Sequence, residues 1–191
     1  MRLRAVALAA AFAACLPVPA HAATARPQIT DAAGDQRAMS ASYDIRSALF
    51  STGGVTVRSG KRSVYVPTRL VVTVTYAAPV AADGYSAQVV SFATSDCRVY
   101  LEVYGTSHTY GSASCVDSPF TVPVKASGTT LTFMLPFSAL GKGRLGPGAD
   151  IGELSTWTNV AEPSQGYETG DLVGNAVTVD LAETDATYTI R

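Results

Sequence analysis

Charge is scarce in this sequence. Lys, Arg, Asp and Glu make up 15% of its 191 residues, and the two signs nearly cancel. That balance excludes a nucleic-acid binder working through a basic stripe, and no such stripe is visible. Histidine is rarer still, with only His21 and His108. One histidine past the N-terminal segment is too few for a zinc centre built mainly from imidazoles. No G-x-S-x-G turn offers a nucleophilic serine to pair with it. His108, in Gly105-Thr106-Ser107-His108, is therefore expected as an exposed residue near a hairpin tip. Past the first two dozen residues there is no sustained helical periodicity and no long apolar run, so neither a helix bundle nor a helical membrane span is expected there.

The N-terminus is of another kind. Arg2 and Arg4 precede an uncharged apolar stretch, Ala5 to Leu16, and Ala20-His21-Ala22 follows as a small-x-small site. This is the pattern of an export signal, expected to span residues 1–22 and to be cleaved after Ala22. The stretch is too short to cross a bilayer. Phe12-Ala13-Ala14-Cys15 loosely resembles a lipoprotein box, which would make Cys15 the lipidated residue instead. Removing Arg2 and Arg4 leaves 12 basic against 15 acidic residues, a net charge of −3. Cys97 and Cys115 then remain as a pair in an oxidising compartment, where a disulfide is the expected state. Folding the stretch between them as a hairpin centred near Thr106 puts Cys97 opposite Cys115.

What is plentiful is Thr, Ser, Val, Gly and Tyr, the composition of half-buried strands and tight turns. Leu70, Val72, Val74 and Tyr76 alternate with Val71, Thr73 and Thr75. Leu131, Phe133 and Leu135 alternate with Thr130, Thr132 and Met134. Further strands are expected over 44–50, with Ile45, Ser47 and Leu49 on one face, and over 55–58 after a Gly53-Gly54 turn. Others are expected at 85–94, 97–104, 120–126, 151–160, 176–180 and 186–190. Phe137 to Leu140 suggests one helical turn. Many short strands between Gly, Ser, Asp and Pro predict an all-β protein. Residues 23–191 should form one antiparallel two-layer sandwich of jelly-roll or immunoglobulin-like type.

Three constellations carry candidate chemistry. Asp31, Asp35 and Asp44 flank a short loop before the first long strand, and three carboxylates plus carbonyls suit Ca²⁺, which takes about 6–8 oxygens. The spacing is not that of an EF-hand, and it fits at least as well a set of aspartates bonding local N–H groups in Asx-turns. Second, alternation puts Tyr100, Glu102 and Tyr104 on one face and Val99, Leu101 and Val103 on the other. Trp157, read with Leu154 and Val160, is expected on the same exposed face. Such aromatics either stack on sugar rings or pack across strands to stabilise the sheet. Third, Glu102 and Glu153 would form a retaining glycosidase pair only if their carboxyls lay about 5–5.5 Å apart.

The two ends carry a more specific likeness. Ile29-Thr30-Asp31-Ala32-Ala33-Gly34-Asp35 with Tyr43-Asp44-Ile45-Arg46-Ser47-Ala48 resembles the D-x-x-G-D…D-I opening of secreted bacterial sandwich modules of actinobacterial type. Asp180-Leu181-Ala182 with Ala186-Thr187-Tyr188-Thr189-Ile190 is similar to their last segment, and Leu135-Pro136-Phe137-Ser138-Ala139-Leu140-Gly141 to their L-P-x-x-x-L-G turn. These modules resemble the DOMON-like sandwiches, among them family-nine carbohydrate-binding modules and the C-terminal domain of glucodextranase. The resemblance implies a β-sandwich with an N-terminal aspartate loop and, in some relatives, calcium or sugar binding. Family-nine modules clamp a sugar between paired tryptophans, and this chain has only Trp157. Haem binding would want a Met or His ligand, and no motif joins His108 to Met134.

Three functions follow as expectations. One is a secreted, non-catalytic module binding glycan or cell-wall material, with Tyr100, Tyr104 and Trp157 at the ligand and Ca²⁺ at Asp31, Asp35 and Asp44. The second is a cell-surface structural or protein-interaction domain. The third is a glycan hydrolase using Glu102 and Glu153.

Overall fold

Alternating apolar residues at period two bury one face of each strand, and two such faces close on each other. The computed structural model describes residues 26–36, 40–81, 86–105, 108–161 and 176–191. The expected signal segment, its cleavage site and Cys15 lie outside the described residues, as does Thr106, the expected centre of the hairpin.

The strands are β1 (Ile29–Thr30), β2 (Ile45–Ser59), β3 (Arg62–Tyr76), β4 (Ser86–Ala93), β5 (Arg98–Tyr104), β6 (His108–Ala113), β7 (Val124–Ser127), β8 (Thr130–Pro136), β9 (Asp150–Ala161), β10 (Ala176–Thr184) and β11 (Tyr188–Thr189). They form two antiparallel sheets. The first has the order β1-β2-β3-β8-β7; the second has β10-β9-β4-β5-β6, with β11 pairing β9. One 3₁₀ turn, Ala41–Tyr43, is capped by the Ser40 hydroxyl. The other, Phe137–Leu140, is the expected helical turn.

The core is the alternation made solid. Leu70, Val72, Val74, Tyr76, Leu131, Phe133 and Leu135 line the first sheet's inner face, and Val90, Phe92, Val99, Leu101 and Val103 the second's. Phe50 and Phe92 join the two layers edge to face, with centroids 6.4 Å apart. The hairpin of β5 and β6 pairs Tyr104 with His108 and Val99 with Ala113. That register brings Cys97 and Cys115 together in a disulfide with Cα atoms 5.3 Å apart.

Two expectations for β2 are corrected. Gly53-Gly54 is not a turn, because β2 runs unbroken from Ile45 to Ser59 and the register against β3 shifts there. A Cβ on Gly54 would sit 2.3 Å from the Val66 carbonyl oxygen, so the bulge needs glycine. A second shift between Ile45 and Ser47 reverses the alternation, so Ile45, Ala48 and Phe50 are buried while Ser47 and Leu49 are only half-buried.

Candidate functional site

The outer face of the second sheet is built from register. Inward alternation fully buries Val99, Leu101 and Val103, which leaves Tyr100, Glu102 and Tyr104 outside. On β9, Leu154, Thr156 and Thr158 are buried, and Trp157 lies between them on the outer face. Trp157 does not share a face with Leu154, as expected from the sequence, because an odd spacing along a regular strand changes sides. Pairing then lines up one row across five strands: Tyr110, Glu102, Val89, Trp157 and Leu181. At about 4.8 Å per strand the row is about 19 Å wide. Its two ends are the most open, with Tyr110 at 42% and Leu181 at 50% exposure.

Polar rows flank it. On one side run Ser112, Tyr100, Ser91, Ser155 and Glu183; on the other run His108, Tyr104, Ala87, Asn159 and Thr178. Tyr100 meets Trp157 edge to face at 6.3 Å, and the Tyr104 hydroxyl donates to Glu102 Oε2 at 3.0 Å. On β4, Ala87, Val89 and Ser91 face outward yet are buried, because the aromatic rings beside them cover them. The sequence pointed to Tyr100, Tyr104 and Trp157. It missed Tyr110 and Leu181, whose only local signal was an apolar residue on the polar side of an alternating strand.

Glu102 and Glu153 are not brought together. Glu102 is level with Trp157 through Val89, whereas Glu153 lies beside Gly152, level with the end of β4. Two strands across and four residues along, their backbones are about 16 Å apart. Glu153, at a positive φ of 49°, is ion-paired with Arg98. The expected Glu102–Glu153 pair, which needs carboxyls about 5–5.5 Å apart, is therefore not formed.

The second constellation is an acidic cluster at the other edge of the sheet. Carboxylate oxygens of Asp31, Asp35 and Asp180 all lie within 4.8 Å of one another. Asp180 takes the place expected for Asp44. A register shift between Thr178 and Asp180 turns its side chain inward, and such a bulge re-aims a side chain. Asp180 Oδ2 accepts the Ile45 N–H at 2.5 Å, and Oδ1 accepts that of Leu181 at 3.0 Å. Asp44 is buried beside the cluster, where its Oδ2 accepts the Gly34 N–H at 3.0 Å and holds the loop closed. Asp31 Oδ1 accepts the Ala32 N–H at 3.0 Å, so the local-bonding reading is realised alongside the convergence.

Electrostatics register the crowding. Burial raises the Asp180 pKa to about 6, with Asp31 and Asp35 adding to the rise against the lowering N–H bonds. Burial likewise raises that of Asp31, opposed by its bond from Ala32 and reinforced by Asp35 and Asp44. Asp31 Oδ2, Asp44 Oδ1 and Gln36 Oε1 are buried without a hydrogen-bond partner. Buried oxygens left unpaired are costly, and of these three residues Asp31 belongs to the cluster, where a hard cation with oxygen ligands would satisfy it. Asp31, Asp35 and Asp180 are the carboxylates whose oxygens lie close enough to share one cation.

No protein-family profile, curated protein or solved structure matches the chain.

Proposed function

We propose that this chain is an exported, non-catalytic binding module that presents the outer face of its second sheet to a glycan or other cell-wall polymer. The observation that carries the reading is the row Tyr110, Glu102, Val89, Trp157, Leu181, flanked on both sides by hydroxyl, amide and carboxylate groups. A sugar ring has the matching character, with apolar C–H faces and a polar rim, and amphipathic aromatic rings suit such ligands. The face is shallow and open, which fits a polymer lying across the strands. The separation of Glu102 from Glu153 supports binding without hydrolysis.

Calcium is part of the proposal in a structural role. Held by Asp31, Asp35 and Asp180, it would tie the N-terminal loop to β10 and neutralise carboxylates that otherwise repel. The N-terminal export signal and the disulfide support a destination outside the cytoplasm, where free Ca²⁺ is abundant relative to a weak site.

The test is co-sedimentation with a panel of insoluble polysaccharides and purified cell walls, in Ca²⁺, with wild-type protein and Trp157→Ala. The reading predicts retention by at least one polymer and its loss in the variant. Passage of the wild type through the whole panel would remove glycan binding and leave a structural or protein-interaction domain.

A further inference from the structure

The β2–β3 hairpin outgrows its sheet. β1 pairs β2 only at Ala48 and Ser47, and β8 pairs β3 no further than Arg69. Beyond the Gly54 bulge, residues 54–67 form a two-stranded arm whose six cross-strand pairs run from Gly54–Pro67 to Ser59–Arg62. Its length is about 20 Å. Pairs Val55–Val66 and Val57–Val64 put four valines on one face, each 38–46% exposed. The arm holds five of the eight large apolar or aromatic side chains exposed among the described residues. A free two-stranded ribbon is marginally stable in water, so an apolar face on one calls for a cover.

Charge says what that cover is. The arm, residues 54–67, carries three cations, Arg58, Lys61 and Arg62, and no acid. The rest of residues 23–191 carries nine basic and 15 acidic residues. The occupant must therefore be apolar and anionic. An anionic bilayer is both, but it would repel the acidic body behind the arm. A second arm offers valines but no acid to meet Arg58, Lys61 and Arg62. The matching surface is on the opposite sheet of the same chain. There a cavity of about 520 Å³ is lined by Arg98, Glu153, Glu183 and Asp185, three acids against one base, with Ser155 and Thr184 between them. Leu181, half-exposed, stands beside it, two residues from Glu183 on the same face.

We propose that two copies of this chain exchange arms. The basic tip of each, Arg58, Lys61 and Arg62, sits in the acidic cavity of the other, and the valine face covers Leu181. Two reciprocal contacts double the area that one ribbon face buries and close the assembly about a two-fold axis. The inference goes beyond the ligand reading: Leu181 ends the proposed ligand row and Glu183 its flank, so the dimer covers one end of that face, while the arm substitutions below leave every residue of the row in place and so separate the two readings.

Analytical ultracentrifugation of three proteins tests it. They are the wild type, an arm variant (Arg58→Glu, Lys61→Glu, Arg62→Glu) and an acceptor variant (Glu183→Lys, Asp185→Lys). The wild type should sediment as a dimer that weakens with added salt. Each variant alone should dissociate at least about tenfold more readily, and an equimolar mixture of the two should recover the dimer, since reversed arm meets reversed acceptor. Val57→Asp should also give monomer, with a melting temperature matching that of the monomeric arm variant, because the side chain is exposed. A wild-type monomer at every concentration overturns the proposal, as does a dimer indifferent to charge reversal or a mixture that stays monomeric. Capture of the monomer by phosphatidylglycerol vesicles would assign the arm to a lipid surface instead.

Discussion

Asp180 accepts the backbone N–H of Ile45 at 2.5 Å, joining two residues 135 positions apart and one sheet to the other. The same carboxylate closes on Asp31 and Asp35, so a single side chain links the strand ends to the N-terminal loop. Much of what can be measured on this protein runs through that residue.

Calcium should stabilise the fold. At about 100 times its dissociation constant a ligand adds about 2.7 kcal/mol, which for a chain of this size raises the melting temperature by about 5–10 °C. Asp180→Asn should abolish most of that rise. Without Ca²⁺ it should melt close to wild type at neutral pH, because it keeps an acceptor for Ile45 and loses a repelled charge, offset by the lost bond from the Leu181 N–H. Thermal melts in Ca²⁺ and in chelator read both effects.

The pH dependence has a definite sign. A carboxyl whose pKa is raised on folding, here from an ordinary value to about 6, binds its proton more tightly in the folded state. Its contribution is present below about pH 4 and is lost as pH rises to about 6. Chelated protein should therefore show a falling component of stability across that window, absent in Asp180→Asn. Calcium should stabilise most above it, where the carboxylate is ionised. Urea unfolding at stepped pH measures this.

The disulfide closes a stretch with a sequence separation of 18. On the chain-entropy account its removal by Cys97→Ala with Cys115→Ala costs about 3 kcal/mol, near 10 °C in melting temperature. Denaturant unfolding of the double variant gives the number directly.

Gly54→Ala should damage the arm. Its Cβ would meet the Val66 carbonyl oxygen at 2.3 Å and the Tyr65 ring at 2.8 Å. Backbone has to move, at a cost of about 1–3 kcal/mol. Faster amide exchange in residues 55–66, with the core strands still protected, is the expected signature.

The sequence made some of this legible and hid the rest for physical reasons. Leu70 to Tyr76 and Leu131 to Leu135 were readable because period-two burial is a local property. The Cys97–Cys115 register was readable because a hairpin is symmetric about its tip. Gly53-Gly54 misled because glycine marks turns and bulges alike. What decides between them is the Val66 carbonyl on the neighbouring strand. Asp180 was hidden for a related reason, since its meeting with Asp31 depends on a register shift at Val179 and on the packing of distant strands. Trp157 was placed on the outer face for the wrong reason, by grouping it with Leu154, which points into the core. Tyr110 and Leu181 became visible only when five strands were set side by side.

Trp157 is the chain's single tryptophan and stands in the middle of the proposed ligand row, so its fluorescence reports on that face alone. Soluble fragments of a polymer retained in co-sedimentation should shift its emission in a saturable way, and Tyr100→Ala should weaken the response about tenfold or more. An emission spectrum that stays unchanged while the protein still binds the polymer would place the ligand elsewhere and contradict the account.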